Sequence, residues 1–263
     1  MNDAARTAEH FLEARRTASG LTDYPGVVPA TLADGYAIQA EALARTPDAI
    51  CGWKVGRILP PLSDRYGCDR LAGPIFAPMV ADADPGATGF MFADGFGAVE
   101  SEFLFRLGAA PRPGQTQFSL EDAAALVDAV HIGIEIASSP FIGINSMGPA
   151  VTISDFGNNN GLLIGPEVLD WTSGAYAEQT VITRIDGDVA GEGRASAFTR
   201  GAIGSVAFLL ENLIARGIAI EPGWWISTGA VSGVHAVRPG QAVEADFGPL
   251  GVLHCRIMAQ EPR

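Results

Sequence analysis

The chain has 263 residues, room for one large domain or two small ones, and its 48% hydrophobic content supplies a core, which excludes general disorder. Seventeen basic residues against 30 acidic ones leave a net charge of −13, a surface that repels phosphate backbones and anionic headgroups and argues against nucleic-acid and membrane partners. No apolar run approaches the roughly 18 residues that span a bilayer, the first residues lack the apolar stretch of a secretory signal, and three cysteines without zinc-site spacing fit a reducing compartment, so a cytoplasmic protein is expected.

The first fifty residues predict helices. Ala8, Phe11, Leu12 and Ala14 recur at helical spacing, Leu32 to Arg45 does likewise, and Pro25 and Pro29 lie between. From Ile50 onward the pattern shortens to strand-length runs broken by Gly and Pro: Cys51–Arg57, Val99–Leu107, Ile132–Ala137 and Gly161–Ile164. Two helices interrupt them, one opened by the capping box Ser119-Leu120-Glu121-Asp122 and expected to reach about Val130, the other from about Ala202 to Arg216 with Gly217 as its C-terminal cap. Asp186-Gly187 turns a hairpin, and Pro222-Gly223, Pro239-Gly240 and Gly248-Pro249 punctuate the last strands. The expected organisation is a helical segment over residues 1–50 packed on one β-rich α+β core over 51–263.

Two constellations carry chemistry. Sixteen arginines accompany a single lysine, Lys54, which marks a position where a permanently charged guanidinium cannot replace an amine able to release its proton. Strand alternation in Cys51-Gly52-Trp53-Lys54-Val55-Gly56 places Lys54 between two glycines on one face, which is expected to leave room for a ligand. In Val99-Glu100-Ser101-Glu102-Phe103-Leu104-Phe105 the two glutamates share a face opposite Val99, Phe103 and Phe105. An isolated E-x-E is commonly a solvated face, but Glu135 lies in a segment too apolar for a surface strand, and a buried carboxylate needs a partner or a metal. Three carboxylates without a thiolate or imidazole cluster suit Mg²⁺ or Mn²⁺ on Glu100, Glu102 and Glu135.

Further candidates are Asn158 and Asn159, which could aim amides at a substrate carboxylate, and Thr228 of Ser227-Thr228-Gly229, which could donate to an anionic substrate. His131 reads as structural because β-branched alternation around it argues strand. Gly191-Glu192-Gly193 follows a hairpin rather than opening a crossover helix, and no G-x-S-x-G elbow, P-loop or H-E-x-x-H is present.

Together these residues resemble the 2-keto-4-pentenoate hydratase and 4-oxalocrotonate decarboxylase family of the fumarylacetoacetate hydrolase-like superfamily. The resemblance spans nearly the whole chain. It rests on Asp34-Gly35-Tyr36-Ala37-Ile38-Gln39, Gly52-Trp53-Lys54-Val55-Gly56, Gly67-Cys68-Asp69, Glu100-Ser101-Glu102, Glu135, Gly161-Leu162-Leu163-Ile164-Gly165, Ser227-Thr228-Gly229-Ala230 and Phe247-Gly248-Pro249-Leu250-Gly251. It implies a mixed β-roll core, a divalent metal on the three glutamates, Lys54 beside the substrate and a homo-oligomer. An acid usual in the family falls here on Ala72, and Asp155-Phe156-Gly157-Asn158 replaces another expected segment, so Asp69 becomes the second candidate for proton transfer after Lys54. The implied activity is a metal-dependent hydratase adding water to a 2-hydroxy-2,4-dienoate, the substrate chelated through its carboxylate and C2 oxygen. A decarboxylase of 2-oxo-enedioates and a non-catalytic small-molecule binder are the alternatives, and no lid His/Glu dyad for an acylpyruvate hydrolase is recognisable. Lys54 is expected at the rim of the metal site with a lowered pKa when the cation is bound, and to hold its proton more tightly without it.

Overall fold

The computed structural model describes residues 2–263. In chain order its elements are α1 (Asp3–Thr17), α2 (Leu32–Leu43), β1 (Ile50–Arg57), α3 (Leu62–Tyr66), β2 (Arg70–Phe76), β3 (Val80–Asp82), β4 (Thr88–Met91), β5 (Phe96–Leu107), α4 (Leu120–Ala124), β6 (Val127–Ser139), α5 (Pro149–Ser154), β7 (Asn159–Glu167), β8 (Val181–Ile185), β9 (Asp188–Gly193), α6 (Gly201–Ala215), β10 (Trp225–Ser227), β11 (His235–Ala236), β12 (Ala242–Asp246) and β13 (Val252–Ala259). Among the described residues no helix is long and apolar enough to cross a membrane.

Local chemistry sets the boundaries. The Asn2 side chain accepts from the Ala5 N–H to start α1, and reciprocal Thr31/Asp34 and Ser119/Asp122 boxes start α2 and α4. Asp186 and Gly187 both adopt positive φ, 52° and 91°, the backbone of a tight hairpin turn between β8 and β9. The helix expected to reach Val130 stops at Ala124 instead. Its would-be continuation is the start of β6, which pairs with β5 on one side and β7 on the other, so two ladders override a run whose composition suits a helix equally well.

Two sheets form the body. The larger runs β2-β1-β10-β5-β6-β7-β3, with β11 also on β5; the smaller runs β4-β13-β12-β8-β9. Within the larger sheet β1 lies parallel to β10 and β3 parallel to β7, the other main-path pairs being antiparallel, so the sheet is mixed. Val99, Phe103 and Phe105 of β5 and Ile132, Ile134 and Ile136 of β6 face Val243, Ala245, Leu253 and Ile257 of the smaller sheet, and α6 packs into the same core. Each such Val, Leu, Ile or Phe side chain contributes roughly 1.5–3 kcal/mol on burial. One polar thread crosses this layer, Ser101 Oγ to Thr183 Oγ1 to Ser232 Oγ, both contacts 2.6 Å.

The N-terminal helices cover the body near α5. Gly35 of α2 is required by close approach, since a Cβ there would meet the Ala150 carbonyl at 2.4 Å. Buried Gln39 donates to the Ala72 and Ile153 carbonyls at 3.0 and 3.1 Å, and Arg15 of α1 clasps buried Asp155.

Candidate metal centre and active site

The site is built on the β5–β6 pair. Its register sets Glu100 directly opposite Glu135 and places Glu102 opposite Gly133, so all three carboxylates leave the sheet on the face turned away from the apolar interlayer. Each offers an oxygen within 4.8 Å of the others, and all three are buried, Glu102 and Glu135 completely. Ser227 Oγ and the Gly229 N–H (2.8 Å) donate to Glu102 Oε2, while Asn159 Nδ2 donates to Glu135 Oε1 at 3.0 Å. Lys54 Nζ lies 3.1 Å from the same Glu135 oxygen and donates to Asn158 Oδ1 at 3.2 Å.

Charge and hydrogen bonding leave the cluster incomplete. Glu102 Oε1 and Glu135 Oε2 are buried without a partner. Burial, reinforced by Glu135 and Glu100, drives the Glu102 carboxyl well above the usual carboxylate range despite Lys54 and Ser227. Burial also raises Glu135, against the pull of Lys54. With three carboxylates and one ammonium in ionised form, the surplus is two negative charges, the charge that one divalent cation carries. Hard oxygen donors, unpartnered lone pairs and this surplus fit Mg²⁺ or Mn²⁺, so the cluster could hold such an ion.

Lys54 is buried on β1, between β2 and β10. Burial lowers the pKa of its ammonium, but the charges of Glu100, Glu135 and Glu102 outweigh that, and the net shift is upward. In the cation-free cluster the lysine holds its proton tightly, and its place is inside the cavity wall rather than at a rim. The glycines beside it differ in purpose. Gly52 admits the neighbouring strand rather than a ligand, since a Cβ would lie 2.3 Å from the Trp225 carbonyl; Gly56 lines the cavity beside the amine.

That cavity, about 340 Å³, is walled on its polar side by Lys54, Arg57, Glu100, Asn145, Thr152 and Asn158, and Ile58, Leu59, Leu62 and Leu71 supply an apolar side. Asn158 thus reaches the site as expected. Three other candidates stand elsewhere. Asn159 faces Glu135 from behind and orients it. The Thr228 hydroxyl is fully buried and donates to the Phe103 carbonyl at 2.8 Å, so its neighbour Ser227, which parallel pairing sets beside Lys54, supplies the site's hydroxyl instead. Asp69 stands just before β2, half-exposed, and pairs with Arg70 at 2.6 Å, outside the cavity. Ala72 pairs with Val55 and packs with it and Trp53 on the opposite face from Lys54, so no group at that position would meet the cavity.

Asn145, whose Oδ1 accepts from Asn158 Nδ2 at 3.0 Å, and Arg57, stacked 4.2 Å over the Phe198 ring, are additional wall residues. Because Asp69 stands apart, Asp69→Asn should leave turnover within about twofold of the parent and shift stability by no more than ~1 kcal/mol, read by steady-state assay and thermal melt.

No protein-family model matches the chain, and no curated protein does either. Solved structures do match. The 4-oxalocrotonate decarboxylase from Pseudomonas putida G7, complexed with magnesium and adipate, superposes with a TM-score of 0.81 at 21% identity over 97% of each chain. Fumarylpyruvate hydrolase from Pseudomonas aeruginosa, in complex with Mn²⁺ and pyruvate, matches at 0.54 and 18% identity over 79% of this chain and 88% of that one. The 2-hydroxyhepta-2,4-diene-1,7-dioate isomerase from Mycobacterium marinum matches at 0.58 and 16% identity, over 81% and 77%. The fold is therefore the mixed fumarylacetoacetate hydrolase-like fold that the sequence resemblance implied.

Proposed function

We propose that this protein is a divalent-metal-dependent lyase of small 2-oxo acids, a hydratase that converts a 2-hydroxy-2,4-dienoate to a 4-hydroxy-2-oxo acid. The observation that carries this reading is three buried glutamates, two with unpartnered oxygens, meeting the chain's one lysine at the wall of a cavity. When bound, Mg²⁺ or Mn²⁺ would be held by Glu100, Glu102 and Glu135, would polarise the substrate's carboxylate and C2 oxygen, and would offset the negative charge that retains the Lys54 proton.

The chain's own groups then divide the work. Asn158 Oδ1 and Glu135 fix the Lys54 amine, and Asn145 fixes Asn158 in turn. In this reading Lys54 Nζ moves the enol proton to C5, which ketonises the substrate and leaves C4 electron-poor. It next takes a proton from the water that adds at C4 and returns it to C3, so one amine carries both transfers and ends as it began. The apolar wall of Ile58, Leu59, Leu62 and Leu71 receives the hydrocarbon end of the substrate. We further propose that the protein acts as a homo-oligomer.

Decarboxylation of a 2-oxo-enedioate is the second reading, favoured by the likeness to a decarboxylase over 97% of each chain, N-terminal helices included. Incubation with Mg²⁺ and a panel of 2-hydroxydienoates and 2-oxo-enedioates, followed by product mass, separates the readings. Gain of water is the expected result; loss of carbon dioxide supports the decarboxylase. Metal binding with no turnover across the panel would leave a small-molecule binder.

A further inference from the structure

Behind the glutamates lies a second cleft of about 630 Å³, larger than the cavity of Lys54 and within the range of small-molecule sites. Leu12, Phe76, Phe92 and Phe156 give it an apolar, largely aromatic lining. Arg15, Arg16, Arg45 and Arg263 line it as well, against one acidic side chain, Asp48. In a chain with 30 acidic and 17 basic residues this local balance is inverted. Arg15 is committed to buried Asp155, but Arg16 and Arg45 are 59% and 38% exposed and tied only to near neighbours in sequence, Glu13 and Glu41. Such surface pairs are of marginal worth and are readily exchanged for a better anion. Aromatic edges, with Arg15 already lying over the Phe92 and Phe156 rings, stand beside the available guanidinium forks of Arg16 and Arg45 and complement a flat apolar body that ends in a carboxylate.

The wall between the two cavities is the segment 155–160. Phe156, Gly157 and Asn158 take φ of 55°, 63° and 58°, three successive left-handed residues of which two are not glycine. Backbone of this kind persists only where its surroundings over-determine it. On one side Asn158 holds Lys54. On the other Phe156 lines the second cleft, Asn159 holds Glu135, and Arg15 donates to the Asn159 carbonyl and to Asn160 Oδ1. A ligand resting on Phe156 and the arginines therefore touches Asn159, which holds a metal-facing glutamate, and bears on the short segment whose Asn158 holds the lysine on the other side.

We propose that this cleft is an effector site for flat apolar carboxylates, aromatic or conjugated, whose occupancy changes the affinity of the glutamate cluster for a divalent metal. The coupling is reciprocal, so metal binding changes the affinity of the effector by the same factor.

Calorimetry on the full chain tests it, with benzoate as probe and benzyl alcohol as the uncharged control. Benzoate should bind one to one and benzyl alcohol should not. Arg16→Ala with Arg45→Ala, and separately Arg45→Glu, should weaken benzoate by about tenfold or more while melting as the parent does. Saturating benzoate should shift Mn²⁺ affinity by at least about fivefold in the parent and not in these variants. Oxalate added with Mn²⁺ should leave benzoate in place. Benzoate binding that survives the arginine changes, or that oxalate displaces, would assign the ring to the Lys54 cavity and overturn the proposal. An unchanged Mn²⁺ affinity would overturn it as an effector site. Absent benzoate binding, with an oligomeric mass altered by Arg45→Glu in sedimentation, would show the cleft to be covered by a second copy of the chain and overturn it likewise.

Discussion

Replacing Glu102 by Gln should lower divalent-metal affinity by at least about a hundredfold while the chain stays folded, because a change one shell further out already removes 10–100-fold in metal sites. The carboxylate is fully buried, one oxygen is held by Ser227 and the Gly229 amide, and the other has no protein partner. Gln preserves the volume but removes the charge a hard cation requires. Stability without metal should not fall, because burial and the neighbouring glutamates already hold the Glu102 carboxyl well above the usual carboxylate range, so a neutral amide replaces a group that resists ionising there. The signature is a melting temperature that Mg²⁺ raises in the parent and leaves unmoved in the variant, with calorimetry supplying the affinities. Glu135→Gln should lose metal equally and also lose stability, since it strips Lys54 of its closest counter-charge, 3.1 Å away. Unchanged Mn²⁺ affinity in both variants would remove the three-glutamate site.

Lys54→Met and Lys54→Arg should each lose about a hundredfold or more in turnover, a barrier increase of roughly 3 kcal/mol. Met deletes both charge and proton, whereas Arg keeps the charge on a group that does not release a proton near neutral pH. The two differ toward the metal. Lys54→Met removes a cation that competes for the glutamates, so its Mn²⁺ affinity should rise above that of the parent even as turnover falls. Near-parental turnover in Lys54→Arg, on a substrate the parent converts, would reduce Lys54 to a positive charge and move proton transfer to another wall residue. Asp69 stands outside the cavity, paired with Arg70.

What the sequence made legible follows the physics of strands. Alternation places Glu100 and Glu102 on one face whatever the surrounding fold, and the apolar neighbours of Glu135 require it to be buried, so the cluster could be read from two segments alone. The same period reads Lys54 correctly but not the need for Gly52, which arises from a strand 173 positions later in the chain, at Trp225. Thr228 was indistinguishable from Ser227 because β10 is too short to show a period; only its pairing with β1 decides which hydroxyl reaches Glu102. Asn145 sits in a loop with no patterned neighbour, and its role exists only through Asn158. The overlong helix after Ser119 has a local cause, a run from Ala123 to Val130 that either ladder or helix can use.

The register of β5 against β6 also constrains how this protein can change over generations. One strand pair carries metal-facing groups on its even positions in β5 and the adhesive surface of the core on its odd ones. Inserting or deleting a single residue within it would exchange the two, driving carboxylates into the hydrocarbon layer and phenylalanines into the cavity, so the site cannot drift by small steps along these strands. Residues 59–61, 145–148 and 233–234, which border the cavity from outside that pair in exposed or half-buried loops, carry no such double duty. New substrates for an old metal platform are therefore to be sought in changes to those loops, where a lineage can experiment without dismantling what holds it together.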